Sequence, residues 1–93
     1  MRVVIIFAGT QKEAEDFRVH YLKRFPDDLV RISIDGELFG LWDADVFLVG
    51  DYKNNSKYKT ILTSAWARGM QVHAVTKDGE INVENIEGPR FGG

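Results

Sequence analysis

The stretch Asp45 to Gly69, DVFLVGDYKNNSKYKTILTSAWARG, decides how this chain folds. Val46 to Val49 is a continuous apolar run, the pattern of a strand covered on both faces. Gly50 to Ser56 is polar and reads as a loop. Beyond it Tyr58, Ile61, Leu62, Ala65 and Trp66 fall at i, i+3, i+4, i+7 and i+8, which predicts an amphipathic helix. Asn55 or Ser56 is placed to cap its start. Gly69 stands where a left-handed residue closes a helix.

The residues before this stretch repeat its logic. Residues 2–8 (RVVIIFA) predict another strand covered on both faces, stopped by Gly9 and Thr10. Thr10-Gln11-Lys12-Glu13 matches a capping box, with Thr10 as N-cap and Glu13 reaching back to it. The helix it opens carries Ala14, Phe17, Tyr21, Leu22 and Phe25 at helical spacing and ends at Pro26. Leu29 to Ile34 alternates, which predicts an edge strand with one open face. Asp35-Gly36 is a turn signal, and Glu37 to Trp42 is expected to form one or two helical turns.

Beyond Gly69, Gln71 to Thr76 predicts a fourth strand. Asp78-Gly79 then gives a hairpin signal, and Ile81 to Ile86 is expected to return antiparallel. The reading is one domain over residues 1–86 and a flexible tail over 87–93. Alternating strands and helices imply right-handed crossovers. The expected architecture is three-layer α/β, Rossmann-like or flavodoxin-like. Four parallel strands in the order 2-1-3-4 are joined by a C-terminal antiparallel strand.

Composition bounds the rest. Ninety-three residues suit one core, and 44% apolar with 28% charged residues is a globular balance. Twelve basic against fourteen acidic side chains, with no basic cluster, argue against a nucleic-acid partner. The absence of cysteine removes disulfides and thiolate metal sites. Val3 to Phe7 is too short for a signal or membrane segment, so no membrane partner is expected and the reading is cytoplasmic.

In open parallel sheets ligands sit beyond the carboxyl ends of the strands, where strand order reverses. That rule gathers Ala8 to Gln11, Asp35-Gly36, Gly50 to Ser56 and Thr76-Lys77, and it makes Gly9, Thr10, Gln11, Asp35, Asp51, Asn54, Asn55 and Ser56 the candidate ligand-binding residues. Two helix N-termini, at Thr10 and Ser56, are expected to face the crevice and suit an anion such as phosphate. A plain capping box also accounts for Thr10, and a solvated loop with a cap accounts for Asp51 to Ser56. GTQKEAED lacks the second glycine and the Lys-Ser/Thr of a P-loop. The carboxylates of Asp43-Ala44-Asp45 precede their strand and so belong to the opposite edge. His20 and His73 have neither a nucleophile nor a paired ligand near them in sequence. Nothing in the pattern requires a cofactor or a metal.

Ala8-Gly9-Thr10 after the first strand, followed by DADVFLVGDYKNNSKYKTILTSAWARGMQVHAV over Asp43 to Val75, resembles the nucleoside 2-deoxyribosyltransferase-like superfamily. That group has small phage and bacterial members, and the LOG-like nucleotide-binding proteins look similar in outline. Asp45, Asp51, Ser56, Gly69 and Val72 occupy places comparable to its pattern, and Gly9 corresponds to its first loop. The resemblance implies the fold and a nucleotide-sized crevice. It does not carry the activity: counted from Ser56, Tyr58 stands at the family's glycine position and Leu62 at its catalytic glutamate, and leucine cannot form a glycosyl ester.

The first functional expectation is therefore a non-catalytic nucleotide or nucleoside binder. The alternative is a protein-interaction module, a small phage-type accessory protein acting on a host target or self-associating. Thr60, Thr63, Ser64 and Ala67 would then supply a face of small residues for a homodimer, with Phe39, Trp42 and Trp66 as apolar anchors. An enzyme using Asp51 as general acid or base comes last, because no neighbouring carboxylate or histidine tunes it.

Overall fold

The computed structural model describes residues 2–75 and 83–85. Strand β1 (Val3–Ala8) leads into helix α1 (Gln11–Arg24) and strand β2 (Leu29–Ile32). Strand β3 (Asp45–Val49), helix α2 (Tyr58–Ala67) and strand β4 (Gln71–Val75) follow, and strand β5 (Val83–Asn85) closes the sheet. The sheet order is β2-β1-β3-β4-β5. Its first four strands are parallel and β5 runs antiparallel to β4. This is the α/β architecture expected of the sequence. The Thr76-Lys77 loop, the hairpin turn over 77–80 and the tail 87–93 lie outside the described residues.

Side chains alternate across a strand, so each central strand feeds two cores. On one face Ile5, Phe7, Val46, Leu48 and Val72 pack with Ile61, Leu62 and Ala65 of α2. On the other, Val4, Ile6, Ala8, Phe47 and Val49 pack with Ala14, Phe17 and Tyr21 of α1. Residues 4–8 have no exposed surface at all, as a doubly covered strand requires. The two crossovers run in opposite directions from the middle of the sheet, which is why the helices lie on opposite faces.

Local chemistry sets the helix ends. Thr10 Oγ1 accepts from the Glu13 N–H at 3.2 Å while Glu13 Oε1 accepts from the Thr10 N–H at 3.0 Å, a complete capping box. Gly69, at φ +71°, ends α2. Its N–H donates to Trp66 O at 3.0 Å and that of Met70 to Ala65 O at 2.9 Å, the paired bonds of a left-handed closure.

Two expectations are corrected. Neither Asn55 nor Ser56 caps α2: the helix opens at Lys57 without a side-chain cap. Asn55 is spent elsewhere. Its Oδ1 accepts from the Lys57 N–H at 2.9 Å and its amide donates to two strand-end carbonyls. Nor does Glu37 to Trp42 form helical turns. Phe39 and Gly40 take φ of +55° and +70°, and the Leu41 N–H donates to Leu38 O at 3.0 Å, which makes a tight reversal. The reversal buries Leu38 and leaves Phe39 exposed. The β2–β3 crossover is thus a loop.

Candidate functional site

The fold brings the β1–α1 and β3–α2 loops together at the switch point, and their backbones touch. A Cβ added to Gly9 would lie 2.5 Å from the Asp51 carbonyl oxygen. Glu13 ties the two loops: Oε1 accepts from the Thr10 N–H and Oε2 from the Asp51 N–H, each at 3.0 Å. The carboxylate therefore sits where the helix dipole and free backbone N–H groups would draw an anion. Asn54 Nδ2 donates to Asp51 Oδ1 at 2.7 Å. Asn55 Nδ2 donates to the carbonyls of Ala8 and Ile34 at 2.9 and 2.8 Å, which seals the ends of β1 and β2 to the loop before α2.

Of the eight candidate residues, Gly9, Thr10, Asp51 and Asn54 are thus engaged with one another or with Glu13, and Asn55 is held by the carbonyls of Ala8 and Ile34. Ser56 stands exposed beside them. Gln11 and Asp35 lie apart from that knot. With Ile32, Ile34 and Phe39 they line a shallow groove of about 360 Å³ beyond the carboxyl end of β2. Asp35 Oδ1 accepts from the Glu37 N–H at 3.1 Å, which fixes its rotamer and leaves its other oxygen for a ligand. Gln11 Nε2 donates to Glu15 at 3.3 Å. The Arg31 guanidinium lies 5.4 Å from the Phe39 ring centroid and steadies that wall.

Ile32, Ile34 and Phe39 are not among the ligand-binding residues read from the sequence, which offers Phe39 only as an interaction anchor. Phe39 reaches the groove only because the crossover reverses with left-handed backbone, and spacing alone does not reveal that. The second duty of Glu13 was hidden as well: the capping box accounts for one oxygen, and the partner of the other lies 38 residues away.

At the amino edge of the sheet Arg2 is ion-paired with Asp45. His73 is 6% exposed and its Nε2 lies 3.9 Å from Asp45 Oδ1, with neither ring nitrogen hydrogen-bonded among the described residues. The Tyr21 hydroxyl donates to Asp28 Oδ2 at 2.7 Å. Burial, and then that bond, push Tyr21 up to about 12. Tyr21 in turn holds Asp28 below the usual carboxylate range, with the Arg2 backbone N–H adding to the effect. Among the described residues no three His, Cys, Asp or Glu side chains are grouped to hold a metal. No helix among them is long and apolar enough to cross a membrane.

Thr60, Thr63 and Ala67 are exposed on α2 and Ser64 is partly so, which leaves the small-residue face open. Leu62 is 8% exposed and packs in the core. Together the sheet order and the loops define a doubly wound α/β domain whose switch point is closed by its own side chains. No family model, curated protein or solved structure matches the chain.

Proposed function

We propose that the protein binds a nucleoside without turning it over, taking base and sugar in the groove at the end of β2. The carrying observation is the composition of that groove. Ile32, Ile34 and Phe39 offer apolar walls for a planar base, and Gln11 and Asp35 offer polar groups at the same opening. A carboxylate just beyond the second strand of a doubly wound sheet is well placed to accept from ribose hydroxyls. A phosphate gains nothing at the switch point, because the Glu13 carboxylate already takes the Thr10 and Asp51 N–H groups. Nucleosides are therefore favoured over their monophosphates. Leu62 in the core supports binding over glycosyl transfer, since that position has no nucleophile.

The groove is open and small, so affinity is weak, with Kd on the order of 1 mM. Titration of the labelled protein with nucleosides, followed by amide NMR shifts, tests the reading. Shifts are expected at Gln11, Ile32, Ile34, Asp35 and Phe39, with monophosphates binding no tighter. Asp35→Ala should weaken binding about tenfold, the size of a lost hydrogen bond to a charged acceptor. Unchanged spectra with every nucleoside at about 10 mM would rule the proposal out.

A further inference from the structure

The amino edge of the sheet carries a protruding ring and, next to it in the chain, a recess. Trp42 is 68% exposed, more than any other large apolar side chain among the described residues. The Arg68 guanidinium lies 5.1 Å from its ring centroid, and Arg68 Nη1 donates to Leu41 O at 2.7 Å. Ring and cation thus form one pre-set projection. Asp43, Ala44 and Asp45 follow directly and, with Arg2 and Val3, line a groove of about 350 Å³. Val3 and Ala44 give it an apolar floor. Arg2 and Asp45 neutralise each other there, while Asp43 pairs with no cation among the described residues.

We propose that this edge is a self-association surface, on which Trp42 of one protomer enters the groove of a second copy and that copy's Trp42 enters the first. A two-fold contact requires one patch to hold both members of the fit, close together. Residues 42 and 43 meet that condition by adjacency. The charges also match. The projection carries the positive charge of Arg68, and among the residues that line the recess, with Arg2 and Asp45 paired, Asp43 leaves a negative charge, to which the carboxylate of Asp28 beside Arg2 adds. Tryptophan and arginine are the residue types that most often carry interface energy. Each ring can bury roughly 150–250 Å². Two such rings fall well short of the ~1,200 Å² of a standard interface, so the dimer is weak, with a dissociation constant of about 10–100 μM.

Sedimentation equilibrium of the full chain from about 5 to about 500 μM reads this directly, because mass action must shift the average mass across that range. The expected result is a mass rising from monomer towards dimer. Trp42→Ala and Asp43→Arg should each raise the dissociation constant at least about tenfold. Arg68→Asp should weaken association as well, because it removes both the charge that faces Asp43 and the cation that steadies the Trp42 ring. Thr63→Arg, on the small-residue face of α2, should leave it unaltered. Circular dichroism confirms that each variant is folded. A wild type that stays monomeric across the range overturns the proposal without any variant. So does a dimer that survives Trp42→Ala and is lost in Thr63→Arg, which would place the interface on α2.

Discussion

The Glu13 carboxylate accepts one N–H from each loop at the switch point, so removing it severs a helix cap and a loop-to-loop tie together. Glu13→Ala is expected to lower stability by about 2–3 kcal/mol in urea melts, close to the sum of a lost cap and a lost charge-assisted bond. Glu13→Gln keeps one acceptor oxygen and should cost about half as much. A loss under about 0.5 kcal/mol for Glu13→Ala would show that the tie is idle. Tyr21 gives a pH signature. Its hydroxyl is pushed up from 10.0 to about 12 by burial and by the bond to Asp28, so the folded chain holds this proton more tightly than the unfolded one. The resulting stabilisation is intact below pH 10 and is lost as pH rises towards about 12. Asp28 has the opposite sign: its lowered pKa stabilises at neutral pH and that contribution is lost in acid. Tyr21→Phe should cost about 1 kcal/mol at neutral pH, and it should flatten the alkaline limb of the stability curve relative to wild type. An unchanged alkaline limb in the variant would remove Tyr21 from the account.

At the scale of elements, the two helices show how far local pattern reaches. The Thr10 to Glu13 box and the Gly69 closure are contacts within a few residues of each other, and both are legible in the sequence. The start of α2 is not legible, because Asn55 is diverted to carbonyls of Ala8 and Ile34, and their nearness exists only once β1 and β2 are paired. The β2–β3 crossover follows the same rule. Glu37 to Trp42 is rich in large apolar groups, but its form is set by the burial of Leu38 and the exposure of Phe39, which depend on the finished sheet. The site follows the same rule: the sequence gathers the loops at the carboxyl ends of the strands but does not show that Gly9 and Asp51 touch. Asn55→Ala tests the reach of that side chain. It removes three bonds and strands two carbonyls, so a loss of about 2–4 kcal/mol is expected. Amide shifts should spread to Ile34 and Lys57. A change confined to the start of α2 would reduce Asn55 to an ordinary turn residue.

For the whole molecule, the sheet sorts its strands by how many sides are covered, and stability to local opening should follow that order. β1 and β3 lie between paired neighbours and between both helices, and β1 has no exposed residue from Val4 to Ala8. β2 is an edge strand. The Leu29 and Ser33 N–H groups donate inwards to Arg2 O and Ile6 O, so by alternation the Val30 and Ile32 N–H groups point away from the sheet. Arg31, exposed between them, puts a charge on that edge, a common guard against strand addition. Native-state hydrogen exchange should then show a steep gradient. Amides of Ile5, Ile6, Phe47 and Leu48 should exchange only through global unfolding, with the free energy measured in denaturant melts. Val30 and Ile32 should exchange at nearly the rate of an open chain, although both side chains are half-buried. Dilution sharpens the test, because the self-association proposed here uses the amino edge and leaves β2 uncovered. Protection at Val30 and Ile32 that grows with protein concentration would mean that copies join through this edge, and the Trp42 surface would lose its role.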